Sequence, residues 1–269
     1  MVPTTSSDLS SRALIPFLAI SFGLTWSIAA LLILFTEPLV AMFGEIRPSN
    51  PLFILAVYSP GFAALFLVWR AHGIAGLGRL LRRLTLWRVS ASWWLFLILG
   101  IPAVVYLGAA IKGSISDPLP FSPWFAAFPA LALAFFLGPI EEFGWRGLAL
   151  PLLQRKLAPF WAGLILGIVW AIWHIPAFLL SGTAHSTWAF VPFFVGVVAI
   201  SVILTSLFNS ARGSLLLAYL YHFQMMNPIW PDAQPYDEWL FVVIAIIVVW
   251  FNRADMFARE GSVTEVLPK

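Results

Sequence analysis

Two adjacent carboxylates and an arginine close a long apolar run in the middle of the chain. They stand in Gly138-Pro139-Ile140-Glu141-Glu142-Phe143-Gly144-Trp145-Arg146-Gly147. Farther on, His174 lies in Trp170-Ala171-Ile172-Trp173-His174-Ile175-Pro176, and His222 in Tyr219-Leu220-Tyr221-His222-Phe223-Gln224-Met225-Met226-Asn227-Pro228. A charged side chain at mid-bilayer costs about 2.5–3.5 kcal/mol on insertion scales, so groups kept in such surroundings read as functional. On a helix, Glu142 and Arg146 are four apart and share a face, which lets them pair. Glu141 is turned about 100° away and has no such partner in its own helix. Two neighbouring carboxylates in different environments suit a base and its structural support. A glutamate and a histidine can activate a water, while a second histidine and an asparagine can donate hydrogen bonds to an oxyanion. Glu141, His174 and His222 also match the ligand set of a catalytic zinc or other divalent metal. The residue types leave the metal-dependent and metal-free routes both open. Taken singly, each group has a plainer reading as a helix-end salt bridge or a hydrogen-bonded core histidine; the plainer reading leaves Glu141 unexplained.

The elements that must position these groups are membrane helices. The chain has 269 residues, of which 61% are hydrophobic and 10% charged, against about 25% charged in a soluble domain. That composition defines an integral, multi-pass membrane protein. Eight apolar segments are each about long enough to cross a ~30 Å core. They are Ala13–Phe35, Pro51–Trp69, Ala91–Ile111, Trp124–Pro151, Leu157–Leu180, Thr187–Phe208, Gly213–Ile229 and Trp239–Phe251. The first reads as a membrane span rather than a cleaved signal. No repeat or linker divides the chain, so residues 1–269 form one all-α polytopic bundle. In the fourth segment Glu141 lies ~25 Å along the axis from Trp124. Pro139 should kink that helix, with neighbours satisfying the carbonyl it frees.

Loop charge sets the orientation. With a cytoplasmic N-terminus, thirteen of the 15 Lys and Arg fall on the cytoplasmic side and only Arg47 and Lys112 on the other. Both termini then face the cytoplasm, across what reads as a bacterial inner (plasma) membrane. Gly78 to Arg88 reads as positive-inside charge, or as an interfacial helix with its leucines in the headgroup boundary and its arginines in water. The tail Asn252–Lys269 is polar and expected to be partly disordered. All five Asp residues, His72 and His185 fall in predicted loops or tails.

Several chemistries are excluded. The chain has no cysteine, hence no disulfide, thiolate metal site or cysteine nucleophile. There is no His-Glu-x-x-His zinc helix, no serine in a Gly-x-Ser-Gly context, no aspartate within a span and no phosphate-binding glycine loop. The net charge of +3 makes no basic face for nucleic acid.

At these residues the chain resembles the CAAX-protease and bacteriocin-processing (CPBP, or Abi) family of intramembrane proteases. That family's pattern is Glu-Glu-x-x-x-Arg, then Phe-x-x-x-His, then His-x-x-x-Asn. The first is complete in Glu141-Glu142-Phe143-Gly144-Trp145-Arg146; the second is Trp170-Ala171-Ile172-Trp173-His174, with Trp for Phe. In the third, Met226 holds the expected place after His222 and Asn227 comes one residue later. Gly213-Ser214-Leu215 is similar to the family's approach to that histidine, and the motif region covers about residues 138–229. The resemblance implies an eight-helix bundle with a membrane-embedded cavity opening toward the cytoplasm. It further implies an endopeptidase acting on a peptide or membrane-protein substrate within the lipid bilayer. Glu141 and His174 would hold and activate the attacking water, His222 and Asn227 would stabilise the oxyanion, and Glu142 and Arg146 would orient the site. On a regular helix His222 and Asn227 are about 140° apart, so they converge only if the helix is distorted. Pro228 favours such a break, and Gln224 stands nearby as a spare donor. A non-proteolytic bacteriocin-immunity or scaffold protein is the alternative, and a proton-relay transporter using Glu141 and His174 ranks last because no repeat symmetry is evident.

Overall fold

The computed structural model describes residues 8–268, and every regular element among them is helical. Six helices are long and apolar enough to cross a membrane: Ser11–Leu34, Ser59–Thr85, Ala91–Lys112, Trp124–Gln154, Pro159–Leu179 and Phe190–Ser210. Two shorter ones follow, Leu215–Met225 and Tyr236–Phe251. They are numbered first to eighth below. Large apolar side chains stay exposed on the outside, among them Leu34, Leu107, Phe136, Ile246 and Phe251. A soluble monomer rarely exposes so much apolar surface; here it is the face offered to lipid.

The all-helical bundle matches the expected fold class, and eight is an approximate count. The seventh helix is shorter than the expected Gly213–Ile229. Ser214 caps its start by accepting from Leu217 N, and it stops at Met225, because Pro228 drives Asn227 out of the helical region. Its 11 residues reach only about 16 Å. The second helix also differs from Pro51–Trp69. Pro51–Val57 is a short separate helix, and the crossing helix starts at Ser59 with Pro60 in its first turn, a favoured position for proline. It breaks at Gly73, whose φ of 61° is available to glycine at no steric cost. Beyond the break, Arg83 is not in water as expected. It is 1% exposed and donates to the carbonyls of Gly213, Val266 and Glu265.

The fourth helix kinks as Pro139 requires. Proline has no N–H to offer Phe135 O, and the Tyr219 hydroxyl donates to that carbonyl instead. Phe136 O accepts from Tyr58 at 2.7 Å. Both bonds come from outside the fourth helix, which is how a broken membrane helix is kept satisfied. Gly61 and Gly144 let the second and fourth helices touch: a Cβ would stand 2.8 Å from Ile140 O and 2.5 Å from Pro60 O respectively. Small residues at a helix crossing give this close backbone approach.

The tail is ordered, contrary to expectation, as far as residue 268; Lys269, like residues 1–7, lies outside the described residues. Val266 and Leu267 are fully buried. Their amides donate to Asp8 at 3.0 Å each, and Arg155 pairs with the same carboxylate at 2.5 Å. Gln154 and Asn209 bind Val263 from either side. A polar tail is ordered here because its backbone finds charged partners. Hydrogen bonds to charged groups contribute about 1.5–3 kcal/mol each, so Asp8→Ala should loosen this segment by that order. Hydrogen exchange at the Val266 and Leu267 amides reads the effect, and unchanged exchange would show the tail to be held without Asp8.

Candidate active site

The fourth helix changes pitch where it carries its charges. Gly138–Glu141 is a 3-10 turn, Glu142–Gly144 is α-helical, and Trp145–Ala149 is a π turn. Such π turns inside α-helices cluster at functional sites. Glu141, 3% exposed, accepts on Oε2 from Trp145 Nε1 at 3.1 Å and from Trp170 Nε1 at 2.8 Å. Those two bonds leave Oε1 for the cavity that Glu141 lines. Glu142 turns the other way. Its Oε1 meets Arg146 at 3.1 Å and His222 Nδ1 at 2.7 Å. The Arg146 guanidinium lies over the Trp170 ring, 4.5 Å from its centre, a cation–π contact. Glu142 Oε2 and the Nε and Nη2 atoms of Arg146 are buried with no hydrogen-bond partner among the described residues.

His174 caps the regular part of the fifth helix, where Pro176 ends the α-helical hydrogen bonding and a 3-10 turn, Ile175–Leu179, begins. Its Nδ1 faces Trp170 O at 2.8 Å. A carbonyl accepts only, so Nδ1 carries the hydrogen and Nε2 is the open lone pair in the neutral ring. No hydrogen bond joins Glu141 and His174 directly among the described residues. Trp170, one turn before His174, takes the carboxylate instead. This gives the Trp-for-Phe departure a physical meaning, because an indole donates an N–H where a phenyl ring cannot.

His185, in the loop after the fifth helix, stacks on His174 at 5.5 Å and 28°. Phe178, Trp188 and Phe193 enclose it. Burial pushes the His185 imidazole down to about 4, which leaves it neutral at physiological pH. No spacing in the sequence ties His185 to His174; the turn after Pro176 brings them together.

His222 presents Nδ1 to Glu142 and packs its Nε2 side near Gly138. Met226, at the place the family pattern gives to asparagine, also packs on Gly138, and a Cβ there would overlap its sulfur. Asn227 sits just past the helix end, with Oδ1 accepting from Ile229 N at 3.2 Å and Nδ2 directed at Gln224 Oε1, 3.5 Å away. Gln224 is not a spare donor, since its amide is committed to Leu97 O at 3.2 Å. Glu141, His174, His222 and Asn227 nonetheless line one cavity of about 1030 Å³.

No group of three His, Asp or Glu side chains among the described residues is placed to hold a metal ion. His174 and His222 each commit Nδ1, to Trp170 O and to Glu142, which leaves Nε2 as the ring nitrogen open to a ligand.

The cavity opens at one end of the bundle. Its rim is built from the loops that follow the third, fifth and seventh helices, including Leu119, Thr187 and Asp232. The arginine-rich segments lie at the opposite end. An arginine-rich cytoplasmic end and a cavity open to the cytoplasm, both expected, therefore do not hold together.

This is a multi-pass all-helical membrane protein with a buried carboxylate and two histidines facing one cavity. Residues 123–226 match the family described as Type II CAAX prenyl endopeptidase Rce1-like. CAAX prenyl protease 2 of Methanococcus maripaludis is 27% identical over 180 residues, which covers 60% of this chain and 66% of that protein, a little under two thirds of its length. Both matches bear out the resemblance to a CPBP-family protease. The matched stretch contains Glu141, Glu142, Arg146, His174 and His222 and ends at Met226, one residue short of Asn227.

Proposed function

We propose that the protein is a membrane-embedded endopeptidase that hydrolyses a peptide bond of a peptide or membrane-protein substrate entering its cavity. The observation that carries this reading is that Glu141, His174, His222 and Asn227, from three helices and a helix end, line a single cavity. Glu141 Oε1 takes a proton from the attacking water, and the open Nε2 of His174 accepts the water's second hydrogen bond and aligns it. His222, protonated on both ring nitrogens, is held at Nδ1–H by Glu142 Oε1 and donates to the oxyanion from Nε2–H; Asn227 Nδ2 donates beside it. Glu142 and Arg146 position the His222 ring. The proton on Glu141 then passes to the leaving amine.

The test is cleavage of a membrane-tethered peptide by purified protein in proteoliposomes. Removing one acid–base group typically loses about 10²–10⁴-fold in rate, and His174→Ala should fall in that range. Turnover equal to wild type would sink the assignment of His174.

A further inference from the structure

The two ends of the bundle differ in charge and in access. One end gathers the chain start, the segments after the second, fourth and sixth helices, and the tail. Contacts across it show that these segments are neighbours: Arg155 meets Asp8, Arg83 meets Gly213 and Val266, and Arg259 meets Arg155 O. Arg12, Arg82, Arg88, Arg155, Lys156 and Arg212 are among its cations. At the other end, Arg47 and Lys112 are the only Lys or Arg among the described residues, against Glu37, Glu45, Asp117, Asp232, Asp237 and Glu238. Lys112 is itself paired with Asp232 at 2.7 Å.

The cavity lies wholly toward this second, acidic end. Its lining takes Ala29 and Leu32 from the last turns of the first helix, and loop residues from Asp117, Thr187 and Asp232 outward. Among the described residues, none from the arginine-rich segments lines it. That end is also closed, with Val266 and Leu267 buried against the bundle and Arg83 sealed beneath them. Between the two ends of the bundle, the cavity that Glu141 lines opens at the acidic one.

Short loops rich in Lys and Arg stay in the cytoplasm. We propose that the cavity opens on the non-cytoplasmic side of the membrane, and that its substrates are peptide segments presented at that face. The word substrate rests on the endopeptidase reading; the direction of the opening does not. Both termini lie on the cytoplasmic side, and the catalytic groups work on chains that have already crossed or emerged from the membrane. A cytoplasmic protein tail does not reach them.

The absence of cysteine makes the test clean, since each introduced thiol is unique. Thr187→Cys lines the cavity mouth and Leu119→Cys stands on the same rim, while Glu260→Cys reports on the tail end; all three positions are exposed. The full-length variants are treated in intact bacterial cells with a charged, membrane-impermeant maleimide. Thr187→Cys and Leu119→Cys should label in intact cells, and Glu260→Cys only after permeabilisation. The reverse pattern, or labelling of both ends in intact cells, overturns the proposal. Leu119→Cys covers the case in which the thiol at position 187 is unreactive. Labelling does not depend on turnover, so an inactive enzyme leaves this result standing, and a cytoplasmic cavity leaves the endopeptidase reading standing.

Discussion

Glu141→Gln should leave the protein folded and lower its turnover by about 10²–10⁴-fold, the range for loss of one acid–base group. The substitution keeps the side chain's volume and one carbonyl oxygen. That oxygen can go on accepting from Trp145 Nε1 and Trp170 Nε1, the two bonds that hold the carboxylate in place. What is lost is the second oxygen, Oε1, which the indoles leave to the cavity. An amide nitrogen there donates and cannot take a proton from water. The paired measurement is the unfolding midpoint in detergent and the rate of peptide release in proteoliposomes. A normal midpoint with abolished release places Glu141 in the chemistry; a normal rate removes it. Trp170→Phe gives the complementary case. The base survives, but one of its two fixed donors is gone, so turnover should fall less than in Glu141→Gln.

The parts of this site legible in the sequence depend on local geometry. Glu142 and Arg146 are four apart on a helix, and that spacing alone suffices for the 3.1 Å pair. The kink at Pro139 and the helix end before Asn227 follow from the missing N–H of one proline and the steric demand of another. Unpolar composition and segment length revealed the bundle. The rest depends on contacts between residues far apart in the chain. Nothing near Arg83 predicts its bond to Val266 O, 183 positions away, so neither the buried arginine nor the ordered tail is legible locally. His185 reaches His174 only through the turn after Pro176. Apolar content is continuous from Pro51 to Trp69, while the helix boundary at Ser59 is set by a proline and by the Ser59 hydroxyl, which meets the Thr25 hydroxyl and donates to the backbone carbonyl of Ser21. Hydropathy detects what is apolar; it does not see where a helix must restart to satisfy a neighbour.

Glu142→Leu should destabilise the protein by about 3–5 kcal/mol, the cost of breaking a buried ion pair from one side. Arg146 is wholly buried, and Glu142 is its only anionic hydrogen-bond partner among the described residues. Two of its nitrogens already lack partners, so the guanidinium would retain only the face of Trp170. The double variant Glu142→Leu/Arg146→Met removes the stranded charge together with its partner, and should recover a large part of that loss. Recovery should stay incomplete, because His222 Nδ1 loses its acceptor in both variants. Unfolding free energies of wild type, the two single variants and the double variant give the coupling directly. A loss in the double variant equal to the sum of the two single losses would show that the pair is not coupled. Activity separates stability from placement. If Glu142 served only to neutralise Arg146, the double variant would regain turnover along with stability. Because the same Oε1 also fixes the His222 ring, the double variant should be stable and still slow, its loss carried by a histidine free to rotate away from the oxyanion.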